Sequence, residues 1–114
     1  MGPAAHRLAV RRASFRRAGP VVEVNRAVAH GRAYGPAAGL AVLSALDPSA
    51  LPDSPLVPSV RGDLLERAGS YVQAALAFEL AATRTRNEGE RAVLLRRAEA
   101  NHHRASDAVS GCGP

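Results

Sequence analysis

Lysine, isoleucine and tryptophan are absent from this chain, and only two phenylalanines, two tyrosines, one methionine and one cysteine occur in its 114 residues. The single thiol, Cys112, excludes an internal disulfide and a four-ligand zinc site. It reads as an incidental tail thiol that fits a reducing cytoplasm. Alanine accounts for 24 of the apolar residues. It buries little area, and a chain this short already buries a modest share of its surface, so a thick core is excluded. A thin layer of closely approaching helices is not. No run of about 18 apolar residues exists, which excludes a membrane-crossing helix. The pairs Arg11-Arg12 and Arg16-Arg17 imitate a twin-arginine export signal, but Glu23, Asn25 and Arg26 interrupt the apolar stretch that must follow. The chain is therefore placed in the cytoplasm.

What is present in excess is arginine, which supplies all 15 basic residues against 10 acids, a formal net charge of +5. That excess is local. Arg7, Arg11, Arg12, Arg16 and Arg17 lie in the first 20 residues with no acid among them, and the remainder is balanced. The length allows one domain. Residues 1–19 read as a disordered arginine-rich arm, 20–103 as a helical domain and 104–114 as a flexible tail.

Val21, Val24 and Val28, with Ala27, mark one apolar helical face that stops near Tyr34-Gly35. Pro36 suits the first turn of a second helix, carried by Ala37, Leu40, Leu43 and Leu46 to Asp47-Pro48. Four prolines between 47 and 58 predict a turn or linker. A third helix, with Leu56, Val60, Leu64 and Leu65, runs to Ala68 and is ended by Gly69 in a left-handed conformation. Tyr71, Ala74, Ala75, Phe78 and Ala81 predict a fourth helix. A fifth begins at Asn87, whose side chain caps it while Glu90 reaches back. Val93, Leu94, Leu95 and Ala98 give it an apolar stripe, and from Asn101 the chain is expected to fray. No segment alternates with period two, so the fold class is all-α, with about five helices in antiparallel hairpins.

Gly35 and Gly69 each close one helix and open the next, 34 residues apart. This is the period of the tetratricopeptide repeat, a helix-turn-helix unit that stacks on its neighbours. With Gly69 as the turn, the repeat's small residues fall on Gly62, Ala74 and Ala81 and its inserted aromatic on Phe78. Pro58 and Arg61 depart from the pattern, standing where large apolar residues are usual, as does Arg86 where a proline often closes the unit. In the first unit only the turn and the leucines agree.

A second resemblance covers residues 20 to 98. The string Val21-Val22-Glu23-Val24-Asn25-Arg26-Ala27-Val28-Ala29 is similar to a signature in the C-terminal extension of certain bacterial extracytoplasmic-function sigma factors. Gly35-Pro36-x2-Gly39-Leu40, Asp63-Leu64-Leu65-x2-Ala68-Gly69, Ala74-Ala75-x2-Phe78 and Thr85-Arg86-Asn87-Glu88-x-Glu90-Arg91 follow in the same order and spacing. The resemblance implies a tetratricopeptide-like regulatory module that acts through protein contacts, with sigma domains or core RNA polymerase as partners. Asn25, Arg26, Asn87, Glu90 and Arg91 are its signature positions. Nineteen residues before Pro20 hold no promoter-recognition domain, so the chain is not expected to initiate transcription alone. It is expected to be a C-terminal fragment of such a gene.

Two other classes compete with this reading. One is a stand-alone tetratricopeptide-type scaffold with an unrelated peptide ligand. The other is sequence-independent nucleic-acid binding through Arg7, Arg11, Arg12, Arg16 and Arg17, which could neutralise up to about five phosphates. Only Phe15 interleaves them, against that reading. Arg11-Arg12-Ala13-Ser14 matches a basophilic kinase site by composition. No catalytic, cofactor or metal residue is expected. His102 and His103 point about 100° apart on a helix. His6 and His30 lack a ligand at i+3 or i+4, and Ser14, Ser44 and Ser106 lack a nucleophile-elbow context. Glu88 and Glu90 suit a helix's first turn. Arg91, Arg96 and Arg97 read as a solvated face paired with Glu88, Glu90 and Glu99. Because at least three repeats are usually needed for a stable array, marginal stability or self-association is expected.

Overall fold

The computed structural model describes residues 3–47 and 49–111, with side chains over 19–47 and 49–108. Five helices follow one another: α1 Pro3–Tyr34, α2 Pro36–Ser44, α3 Leu56–Arg67, α4 Tyr71–Arg84 and α5 Glu88–Gly111. No strand occurs among the described residues, and the fold is all-α. α1 packs on α2, α3 on α4 and α4 on α5, while α3 also touches α2 and α1.

Local chemistry explains most boundaries. Gly35 (φ 99°) and Gly69 (φ 82°) both adopt the left-handed backbone that side chains resist. After α3, the Ser70 N–H donates to the Leu65 carbonyl at 2.9 Å and the Gly69 N–H to the Glu66 carbonyl at 3.0 Å. This paired closure satisfies carbonyls that a helix end otherwise leaves free. Pro36 opens α2, where its missing N–H costs nothing. α2 ends at Ser44, short of the expected Asp47-Pro48, where the Ala45 and Leu46 N–H groups donate to the Val42 and Leu43 carbonyls at 3.2 and 3.1 Å and tighten the last turn.

α1 is two helical segments broken at Gly19 (φ 46°, ψ −127°), one residue before Pro20. The backbone ahead of the break is helical, where the sequence predicts a disordered arm. Alanine and arginine are strong helix formers and need no apolar period to favour that backbone.

The core is two clusters with α3 between them. Val24, Ala27, Leu43 and Leu64 form the first; Ala74, Phe78, Ala81, Ala82, Leu94 and Ala98 form the second, with Leu65 against it. Small residues set the spacing. A Cβ on Gly39 would lie 2.7 Å from the Ala27 carbonyl oxygen and 3.1 Å from Gly31 Cα, so α1 and α2 meet backbone to backbone. Leu64 Cδ2 fills the notch this leaves. The apolar periods hold only in part: Val24 and Ala27 are buried but Val21 is exposed, and Leu94 and Ala98 are buried but Val93 and Leu95 are exposed.

α5 does not fray at Asn101. That side chain is fully buried, and the helix continues to Gly111, through the segment read as a flexible tail. Nδ2 donates to Glu66 Oε1 at 2.7 Å and to the Arg97 carbonyl at 2.8 Å. A buried amide bonded to a neighbouring helix holds the backbone where polar composition alone predicts solvent.

Candidate interaction groove

The residues singled out from the sequence divide into those that build the fold, those exposed on its surface and those whose side chains lie outside the described residues. Gly62, Ala74, Phe78 and Ala81 come together at the α3–α4 contact, with all four buried. Gly35 and Gly69 make the two turns. Asn25 and Arg26 are exposed on α1, where Arg26 pairs with Glu23 at 3.5 Å. The side chains of Arg7, Arg11, Arg12, Arg16 and Arg17 lie outside the described residues, as does Cys112.

Asn87, Glu90 and Arg91 form the α4–α5 corner. Asn87 Oδ1 accepts the Glu90 N–H at 2.8 Å, the expected cap. The reciprocal half does not form, because the Asn87 N–H donates instead to Thr85 Oγ1 at 3.2 Å. Arg91 donates to the Ala82 carbonyl at 3.1 Å and the Thr85 carbonyl at 2.7 Å, and it pairs with Glu88. A guanidinium on the last carbonyls of α4 satisfies groups that the helix leaves open and complements its dipole. Glu88 and Glu90 stand in the first turn of α5, as their charge favours.

Arg97 departs from the expected pairing with acids of its own helix. It bridges Asp63 and Glu66 on α3, each at 3.2 Å, and its guanidinium carbon lies 4.3 Å from the centre of the Phe78 ring. The signal for this was faint: the acids lie 34 and 31 residues away, on a helix read separately. Arg96 is exposed. Two histidines make local contacts among the described residues. His30 Nδ1 donates to the Arg26 carbonyl at 3.1 Å, and His102 lies 3.5 Å from Glu79. Among the described residues no group of three or more His, Cys, Asp or Glu side chains could hold a metal ion. No helix there is long and apolar enough to cross a membrane.

Among the described residues, an apolar cleft with charged residues on its rim stands out. Between α2, α3 and α4 runs an open cleft of about 490 Å³, floored by Leu40, Leu65, Ala77, Leu76 and Leu80 and edged by Arg61. It shares Ser44, Pro58, Arg61 and Leu80 with a second cleft of about 320 Å³ that reaches Asp47, Leu51 and Arg84 beside the 45–55 turn. The two are one groove. Leu76 is 57% exposed and Leu80 41%, one turn apart on α4 and off the stripe that carries Ala74, Phe78 and Ala81 inward. Scattered apolar residues are ordinary on a protein surface, but a contiguous apolar strip rimmed by charge marks an interaction site.

Sequence reasoning missed the groove, although two of its walls are Pro58 and Arg61, the departures from the repeat pattern. Pro58 is buried and Arg61 half-buried, and neither closes the space between α2 and α4. Asp47 is the acid at the groove's end, and its carboxylate is already engaged. Ser49 donates its N–H at 2.9 Å and its hydroxyl at 2.8 Å to Oδ1. These bonds, the backbone one first, hold the Asp47 pKa below its ordinary value of 3.8.

No protein-family model matches the sequence, and no match was found among curated proteins or solved structures.

Proposed function

We propose that this chain is a tetratricopeptide-like protein-interaction module that serves as the regulatory extension of a sigma-factor-like protein, acting in the cytoplasm. The observation that carries the reading is the set of five strings, in order and in register from residue 20 to 98. Several of their residues fall on fold-building positions, while others, Asn25 and Arg26 among them, are exposed. Val24 and Ala27 pack the first cluster, and Gly39 lets α1 and α2 meet. Asp63 and Leu64 tie α3 to its neighbours, Phe78 fills the second cluster and Arg91 closes the α4–α5 corner. Strings that specify one scaffold are what a shared helical extension would retain, which supports a common architecture more strongly than any single match.

The direct test adds the full chain separately to core RNA polymerase and to isolated sigma promoter-recognition domains, with binding read by calorimetry. Saturable binding to either is expected. No heat with both removes the sigma-related reading. The groove favours a second reading, a free-standing scaffold for another polypeptide, because its walls are supplied by this chain alone. Peptide binding without polymerase or sigma binding would select it.

A further inference from the structure

We infer that the α2/α3/α4 groove receives an amphipathic helix whose apolar stripe is flanked by carboxylates; this rests on the reading of the chain as a protein-interaction module. The charge argument comes first. Four arginines with described side chains are half-buried: Arg61, Arg84, Arg91 and Arg97. Arg91 and Arg97 have carboxylate partners within the fold. Arg61 and Arg84, the two that line the groove, have none among the described residues. Arg84 makes only a 3.4 Å bond to the Ser54 carbonyl. A partly desolvated guanidinium beside leucines loses hydration that a carboxylate would repay with a paired, charge-assisted bond. Asp47, at the groove's end, makes no ion pair with either of them within the described residues, and its Oδ1 takes both Ser49 bonds.

The apolar half of the argument selects a helix. Leu76 and Leu80 stand four residues apart on α4, facing a channel whose other walls are α2 and α3. Ridges at four-residue spacing accept the i, i+4, i+7 side chains of another helix. No sheet edge among the described residues offers strand addition. Nucleic acid is a poorer fit: no aromatic side chain lines the groove for base stacking, and two cations over an apolar floor make few phosphate contacts.

The test uses the full chain and a fluorescein-labelled synthetic helix with leucines at i, i+4 and i+7 and glutamates flanking them. A matched peptide carries lysine at each glutamate. Fluorescence anisotropy should show saturable binding of the acidic peptide and weaker binding of the basic one. Charge reversal by Arg61→Glu with Arg84→Glu should weaken the acidic peptide about tenfold or more and strengthen the basic one. Leu76→Asp should abolish binding while the circular dichroism melting curve stays unchanged, since that side chain is exposed. Equal affinity for the two peptides, or binding unaffected by Leu76→Asp, overturns the inference. So does single-stranded DNA that binds with the same dependence on Arg61 and Arg84. The two proposals fail separately. If polymerase or sigma domains bind a chain that carries Arg61→Glu, Arg84→Glu and Leu76→Asp together as well as they bind the parent chain, the groove assignment falls and the sigma reading survives. If the acidic helix binds through the groove and neither of those proteins binds at all, the reverse holds.

Discussion

Gly62 faces the ring of Phe78 so closely that a Cβ in its place would stand 2.8 Å from Cε1 and 2.9 Å from Cδ1 and Cζ. Phe78 is fully buried, so the ring has nowhere to retreat. Gly62→Ala therefore sets two effects against each other. Overpacking costs about 1–3 kcal/mol, while alanine in a helix gains up to about 1 kcal/mol over glycine. Urea denaturation should show a net loss of up to about 2 kcal/mol, and a gain would show that the ring can move. Phe78→Ala should be the most damaging single change, at about 3–5 kcal/mol. In a Phe78→Leu background the Gly62→Ala penalty should shrink, because the atoms that clash are gone.

Arg97 is held by geometry as well as charge, lying over the Phe78 ring and touching both Asp63 and Glu66. The side chain is partly open to solvent, which limits the value of each ion pair to about 0–1 kcal/mol. Stacking on the ring adds about 0.5–1 kcal/mol. Arg97→Lys keeps the charge but lacks the planar fork, so it should lose most of what Arg97→Met loses, about 1 kcal/mol in denaturation experiments. Full retention of stability by lysine would mean that charge alone matters.

Asn101 donates from a fully buried amide to Glu66 and to the Arg97 carbonyl. Asn101→Ala should cost about 1–3 kcal/mol by stranding those acceptors. Asn101→Asp should cost more at neutral pH, since it sets a second carboxylate beside Glu66 without solvent. Burial and like charge raise the folded-state pKa of the introduced acid. Its penalty is then complete at high pH and relieved as pH falls through that raised value. Thermal melts from pH 4 to pH 8, with the two variants converging in acid, would display this.

Asp47 titrates below 3.8 because Ser49 bonds its ionised form. A lowered folded pKa means the favourable contribution is present above the unfolded value and is lost as pH falls through the folded one. Carbon-detected NMR titration of the Asp47 carboxyl should place its midpoint under 3.8, and Ser49→Ala should move it upward. An unmoved midpoint would mean that the Ser49 hydroxyl contributes nothing to the shift.

The turn glycines, the Pro36 start and the Asn87 cap were legible because each rests on bonds or dihedrals within about four residues. The 34-residue spacing singled out Gly62 and Phe78, which meet across the α3–α4 contact, although no periodicity indicates that Gly62 touches the ring. Val21 and Leu95 sat on apparent apolar faces and are exposed, because a period identifies a stripe but not the width that a neighbouring helix covers. The groove was hidden for a different reason. Leu76 and Leu80 fall off the Ala74, Phe78 and Ala81 stripe of α4 and read as exposed leucines, and only the positions of α2 and α3 make them one wall of a cleft.

By itself the sequence determined an all-α chain, its two left-handed glycine turns and the confinement of the excess charge to the first 20 residues. Those properties follow from composition and from backbone preferences that act over one helical turn. The tertiary structure decided that Arg97 and Asn101 reach back to α3, that Leu64 fills the notch at Gly31 and Gly39, and that two half-buried arginines line a groove without an ion-pair partner among the described residues. Such relationships join residues far apart along the chain, 34 residues for Arg97 with Asp63 and 35 for Asn101 with Glu66. They depend on the distance at which helices pack, which is set by side chains meeting from both sides.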